Sequence, residues 1–480
     1  MKRLKIFAML SLLVLLFLAL LAINPVMAGG PDEDPRFPYD LVPGYGEDGK
    51  PLGNEAAIKK MAGNVKSAKG PDQRSQNMHL MFSSPQTNFV NSDLAFWGNL
   101  AFAGNYGGFR VFDVSDPGET VLLADVSCFG PQNDISVWDN LLFLSVDAVL
   151  TGPECGSGPA PVLTDPTAWE GIRIFDISDP ADPQYLTAVY TDCGSHTHTL
   201  VPDLANNRVL LYVASYALRP GPTCGPDTGE DPLHGKMSIV EVPLDAPEAA
   251  AVIAQPVIEA EVFDISDLVP ILDPTVGCHD IQVYPAIGLA AAACLSEGQI
   301  WDISDPANPD TLNAIRIDNP EVEIWHSAAF TWDGNLVVFG DETLFGSCQD
   351  PSQLNGRIWF HEVANPTVPM ASFLIPRLQP EEYCGSHLFN VLPRNDRYVL
   401  ASSWYGGGVS VIDFTDPANA FEVGYYDAQV PIASESWSAY WYNGFIYSND
   451  IPRGFDIFVL SDPARAKTKR FPHMNPQTQE

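Results

Sequence analysis

One short phrase, opening on glycine and ending at a proline, returns seven times along this chain, and no other feature limits the fold so tightly. The copies are 108–117 (GFRVFDVSDP), 171–180 (GIRIFDISDP), a degenerate 235–247 (GKMSIVEVPLDAP), 298–306 (GQIWDISDP), 356–366 (GRIWFHEVANP), 408–417 (GVSVIDFTDP) and 454–463 (GFDIFVLSDP). Alternating Val, Ile and Phe suit a strand packed between two neighbouring sheets. The Ser-Asp-Pro ending suits a turn: Asp caps it through its side chain and Pro stops the ladder. Calcium ligation by these aspartates is a weaker reading than turn chemistry. The FDISD at 263–267 lacks the leading glycine, falls out of step, and is set aside.

Each repeat reads as four strands, with the sixth as template: A at 386–392, B at 398–403, C at 409–414 and D at 421–426. The expectation is an all-β, seven-bladed β-propeller of four-stranded blades. Insertions at 148–170, 217–234 and 342–355 fall between strands B and C. The seventh repeat has no good D strand, whereas an orphan strand at 78–82 precedes the first A strand. That N-terminal strand is expected to complete the last blade, which joins the ends and removes the open sheet edge. The organisation expected is a signal peptide at 1–28, a linker or surface wrap at 29–77, the propeller at 78–463, and a loosely ordered C-terminal tail at 464–480.

The repeated G-[FIV]-x-[IV]-[FIW]-D-[IVF]-[ST]-D-P stretches resemble the LVIVD repeat, found in propellers of largely uncharacterised exported proteins. The resemblance spans roughly 78–463. It implies the fold and little chemistry, since propellers host binding, scaffolding and catalysis alike.

Export is read from the first residues. Lys2, Arg3 and Lys5 precede an uncharged apolar run, Ile6 to Ile23, and Val26, Met27 and Ala28 place small residues where a signal peptidase cuts. The product is then secreted, with an uncleaved N-terminal membrane anchor as the alternative; no other segment looks transmembrane. Eight cysteines in an exported chain suggest disulfides, and placement in the propeller pairs them 128–155, 193–224, 278–294 and 348–384. Sixty acidic residues against 25 basic argue against nucleic acid or anionic lipid as partner.

Aligning the A strands puts Asp93, Asp134, His196, His279, His326, His387 and Ser438 at one position in successive blades. Strand A is innermost, so these residues should ring one mouth of the central channel. His198 lies two residues beyond His196 on the same side. Imidazoles converging from separate rigid strands build a metal site, and they suit Cu, Fe or Zn. Asp93 and Asp134 would be further ligands or acceptors for imidazole N–H groups. The B–C insertions, the cysteines and the aromatics Tyr106, Tyr216, Trp325, Trp404, Tyr405 and Trp437 all map to this face. His79, His234, His361 and His473 lie outside the ring and read as structural or surface residues.

Two functions remain open. One is a metal-dependent enzyme, an oxidoreductase, acting on a small molecule. Its layout is similar to that of the carotenoid oxygenases, with iron held by four histidines, and of the selenium-binding protein and methanethiol oxidase family, which uses copper. The likeness is architectural and shares no motif beyond the histidine positions. The other is a monomeric extracellular module that binds a protein or glycan through the loop face.

Overall fold

The computed structural model describes residues 72–216, 220–224, 232–265, 274–343, 354–377, 385–429 and 433–480. The expected signal peptide, most of the linker, Cys348 and Cys384 lie outside them. Seven antiparallel sheets follow one another along the chain. Their innermost strands, here called A, are Asn91–Trp97, Gln132–Trp138, Thr197–Asp203, Asp280–Tyr284, Trp325–Phe330, Gly385–Val391 and Ser436–Tyr442. Blade 6 continues with Val399–Tyr405, Gly408–Asp413 and Phe421–Asp427, within two residues of the expected bounds. The fold is the all-β, seven-bladed propeller that the repeats demand.

The repeat phrase has a local cause at each end. Gly108 and Gly171 open their C strands at φ +147° and +146°, where a Cβ would stand 1.8 Å from the Val126 carbonyl oxygen and 2.2 Å from that of Val189. Only glycine fits so close to the neighbouring D strand. At the other end, the Asp113 and Asp116 side chains accept from the Ser115 and Gly118 backbone N–H groups at 2.9 and 3.0 Å. Asp176 and Asp179 repeat the arrangement in blade 2, and Asp302 and Asp305 in blade 4. These aspartates are turn caps. Between blades, alternate strand residues interlock. Leu94, Phe96 and Phe112 of blade 1 pack against Tyr447, Phe455 and Ile457 of blade 7, each such side chain contributing about 2 kcal/mol of burial.

The ring closes as expected. Met78–Pro85 pairs antiparallel with Gly454–Leu460, from Met78 opposite Leu460 to Pro85 opposite Gly454. The chain just before it also wraps the surface, since Gln73–Arg74 adds an outer strand to blade 6. Phe263 forms an isolated bridge to Thr275, and Ser266 and Asp267 of the out-of-step FDISD lie outside the described residues. Three disulfides join Cys128 to Cys155, Cys193 to Cys224 and Cys278 to Cys294. They suggest an oxidising environment. No helix among the described residues is long and apolar enough to cross a membrane.

The final segment departs from expectation: it is seated in the propeller's channel. His473–Met474 pairs with the inner edge of blade 1, opposite Trp97 and Phe96. Asn475 then exchanges two hydrogen bonds with the Val137 backbone in blade 2, at 2.8 and 2.9 Å. Val283 N–H of blade 4 donates to the Gln477 carbonyl and Gln479 N–H donates to the Val283 carbonyl, while the Thr478 hydroxyl donates to the Leu200 carbonyl of blade 3. The inner edges of A strands carry unpaired backbone groups, and a polar segment satisfies them.

Candidate metal centre

D–A and B–C connections share one end of a propeller, and strand A starts there. The histidines of blades 3 to 6 stand at that end in sequence. Ring centroids are 4.5 Å apart for His196 and His279, 3.8 Å for His279 and His326, and 4.3 Å for His326 and His387. All four rings are buried. His279, His326 and Glu342 form one group, each offering a ligand atom within 4.8 Å of the others. The His326 Nε2 to Glu342 Oε2 distance is 3.9 Å.

Hydrogen bonding orients the outer two rings. His387 Nδ1 meets the Trp437 carbonyl. A carbonyl only accepts, so Nδ1 donates and, in the neutral ring, Nε2 is the lone-pair nitrogen. His196 Nδ1 stands 2.7 Å from an Asp147 carboxylate oxygen, with the same result. A carboxylate or carbonyl holding the far ring nitrogen is the usual support of a metal-ligating histidine. His196 Nε2 then faces His279 Nε2 at 3.0 Å, the Tyr216 hydroxyl at 2.9 Å and the Gln132 amide nitrogen at 2.9 Å. A ring nitrogen makes one hydrogen bond, yet three polar atoms converge on this one. Two nitrogens 3.0 Å apart also match cis ligands on one ion at bonds of about 2.1 Å.

Asp93, Asp134 and His198, expected at the same mouth, engage other partners. Asp134 accepts from the His198 backbone N–H at 2.8 Å and lies 3.1 Å from His198 Nδ1. The His198 ring also meets the Ser136 and Ser145 hydroxyls at 2.6 and 2.7 Å. Asp93 accepts from the Tyr440 hydroxyl at 2.6 Å and from the Gln477 amide at 3.0 Å. Burial, reinforced by the nearby Asp134 charge, pushes the Asp93 carboxyl well above the usual range. Structure thus separates a histidine arc from an acidic arc of the same ring.

The repeat alignment misses Glu342 and Asp147, which both reach the histidine cluster. Glu342 is the first residue past its B strand, whose ladder with strand A ends at Asp341, and Asp147 follows Val146, where the ladder with strand A ends in its blade although that B strand runs on to Leu150, opposite Trp169. That shared place at the top of strand B was the signal available. Asp341 positions Glu342, its carboxylate accepting from the Glu323, Ile324 and Gly356 N–H groups at 3.1, 3.0 and 2.8 Å. Of the expected aromatics, Tyr216, Tyr405 and Trp437 border the histidines, with ring centroids 4.7 Å from His196 and 4.6 and 5.1 Å from His387. Tyr106 packs behind Trp437. Trp325 and Trp404 are packing residues, set against Phe339 and Phe373. Cys193, Cys224 and His234 also lie close together, but the two sulfurs are joined in a disulfide. His361 Nδ1 donates to the Pro366 carbonyl of its own blade turn at 2.7 Å, and His473 pairs with Glu480.

Fold and site define a class: a seven-bladed propeller with buried imidazoles and a carboxylate gathered at one channel mouth. No protein-family model and no curated protein sequence matches the chain. Among solved structures it is similar to a protein from Bacteroides fragilis provisionally described as a 6-phosphogluconolactonase, at 12% identity over 81% of this chain and 97% of the other, with a TM-score of 0.49. The periplasmic gluconolactonase PpgL of Pseudomonas aeruginosa is similar at 14% identity over 80% and 96%, also with a TM-score of 0.49. Likeness at this level says nothing about the residues at the mouth.

Proposed function

We propose that this chain is an exported metalloprotein and that it works as a metal-dependent oxidoreductase on a small molecule at the histidine mouth. The observation that carries this reading is the convergence of His279, His326 and Glu342 to within 4.8 Å of one another, flanked by His196 and His387 with their Nδ1 atoms engaged. Two imidazoles and a carboxylate are the donor set of non-haem ferrous oxygenases and equally of catalytic zinc sites, so the set favours iron or zinc over copper. The bound ion would supply redox chemistry and polarise a substrate oxygen. The chain's own part is to hold the donors in a dry pocket, with Tyr216, Tyr405 and Trp437 as apolar walls. Asp134 and His198, hydrogen-bonded to each other, are the pair through which a proton would pass. Asp93 is assigned to support the acidic arc. Export rests on the N-terminal segment and agrees with the three disulfides.

A second reading, a binding module for an extracellular protein or glycan, is favoured by one observation. The Cys128–Cys155 and Cys193–Cys224 bridges pin B–C insertions over the same mouth. The test is metal content by mass spectrometry on untagged protein purified from an exporting host, followed by an oxygen-uptake screen. Near one equivalent of iron or copper with oxygen uptake supports the enzyme. No metal, even after reconstitution, overturns it in favour of the binding module.

A further inference from the structure

Tyr216 follows strand B of blade 3, Arg208–Ala214, and the local frame holds it beside two histidines. The His196 backbone N–H donates to the Ala214 carbonyl at 3.0 Å. The Thr197 hydroxyl donates to the His279 carbonyl at 2.7 Å, which ties blade 3 to blade 4. Gly277 makes room, since a Cβ there would stand 2.5 Å from the Ser215 carbonyl oxygen and 3.0 Å from the Tyr216 Cβ. The Tyr216 ring is buried, with its centroid 4.7 Å from that of His196 and 5.7 Å from that of His279. A buried tyrosine hydroxyl finds a polar partner, and this one meets His196 Nε2 at 2.9 Å.

Hydrogen bonding alone does not account for that meeting. Asp147 engages His196 Nδ1, so Nε2 offers one lone pair. His279 Nε2 lies 3.0 Å from the same atom, and one lone pair does not accept from both neighbours. A shared cation removes the conflict. Two donors at right angles on one ion, with bonds of about 2.0–2.1 Å, lie about 2.9 Å apart, close to the spacing of both pairs. The Gln132 amide nitrogen, also near His196 Nε2, only donates hydrogen bonds and has no lone pair for a metal; the phenol oxygen has one. We infer that Tyr216 is a metal ligand through its phenolate, alongside His196 and His279. On binding, the O–H bond breaks, an oxygen–metal bond forms and the proton passes to solvent, as happens to protic groups that coordinate a cation. Tyr216 adds a donor to the metal centre proposed above, on which this reading rests; His279 also belongs to the group with His326 and Glu342. A hard anionic oxygen favours ferric over ferrous iron.

Ferric iron is the probe, because phenolate-to-iron charge transfer gives a visible band that imidazole and carboxylate ligands do not. Untagged full-length protein is loaded with ferrous iron under argon, oxidised in air and freed of unbound metal. Iron content by mass spectrometry is read beside the visible and resonance Raman spectra. The parent should hold iron and show the band, and its enhanced Raman modes should shift when the protein is made with ring-deuterated tyrosine. Tyr216→Phe, loaded at saturating iron, should keep the metal and lose the band. Should that variant fail to fold, the deuterium test on the parent still decides whether a tyrosine is bound. Iron without the band, Raman modes insensitive to deuterium, or a band that survives Tyr216→Phe would overturn the assignment and leave the metal reading standing. A band that vanishes only in Tyr405→Phe would overturn it in favour of that residue. A parent that binds no iron would overturn both readings together.

Discussion

Blades 3 to 6 and blades 7, 1 and 2 present the same backbone position to the same mouth, with opposite results. In the first arc His196, His279, His326 and His387 lie ring against ring. In the second, Asp93 and Asp134 turn to Tyr440, Gln477 and His198, and Ser438 bonds to the Ser92 carbonyl. A repeat places backbone; it does not choose partners. What differs is the neighbourhood. Carboxylates Glu342 and Asp147, from the tops of B strands, reach the histidine arc, whereas the acidic arc is met from below by the final segment. One ring therefore divides into a half suited to holding a cation and a half knit into the channel filling.

The largest expected effect breaks this division outright. A His279→Ala, His326→Ala double variant should lose at least nine-tenths of its bound metal by mass spectrometry, roughly the effect of removing two ligands, whereas Asp93→Asn should keep it. Equal loss in both proteins would mean that the arcs act as one site. Next comes the Cys278–Cys294 bridge, which fastens the residue before His279 and closes a separation of 16 residues. Replacing both cysteines by alanine should cost about 3 kcal/mol in guanidinium unfolding; a change below about 0.5 kcal/mol would show that the histidine arc needs no such brace.

A pH experiment probes blade 2, on the acidic side. Burial, with Asp192 adding to it, pushes the Glu170 carboxyl up to about 8. The native state then keeps a proton that the unfolded chain releases near the usual glutamate range. Stability from this group is present at low pH and is lost as pH rises through about 8. Glu170→Gln should nearly match the parent at pH 5 and exceed it by roughly 2 kcal/mol at pH 9. Parallel stability curves would remove Glu170 as the cause. The smallest effect is Gln477→Ala, which removes the amide donor to Asp93 and should cost about 1 kcal/mol with metal content unchanged. Metal loss there would tie the final segment to the histidine arc.

Much of the architecture was legible because it is periodic. Gly108 and Asp116 announce a strand and its turn by local sterics and local hydrogen bonds, so their copies could be counted. The clasp at Met78–Pro85 followed from a missing D strand and a spare one. The cysteine pairs 128–155, 193–224 and 278–294 followed once the blades were laid out. Glu342 and Asp147 stayed hidden, since each lies at the start of a B–C insertion, outside the aligned A-strand position. The final segment was expected to be loose because it is basic and polar. Its order depends on Asn475 meeting Val137, 338 residues away in the chain, and nothing local to 471–480 announces that.

By itself the sequence determined the number of blades, the way the ring closes, and the fact that four histidines would face one end, because these depend on strand periodicity, turn sterics and register. Only the tertiary structure decided which of the ring residues gather around a common point, that Glu342 joins them, and that the far mouth is walled by its own final residues. Those outcomes depend on distances between side chains brought together from distant segments, and such distances exist only once all seven blades have closed on one axis.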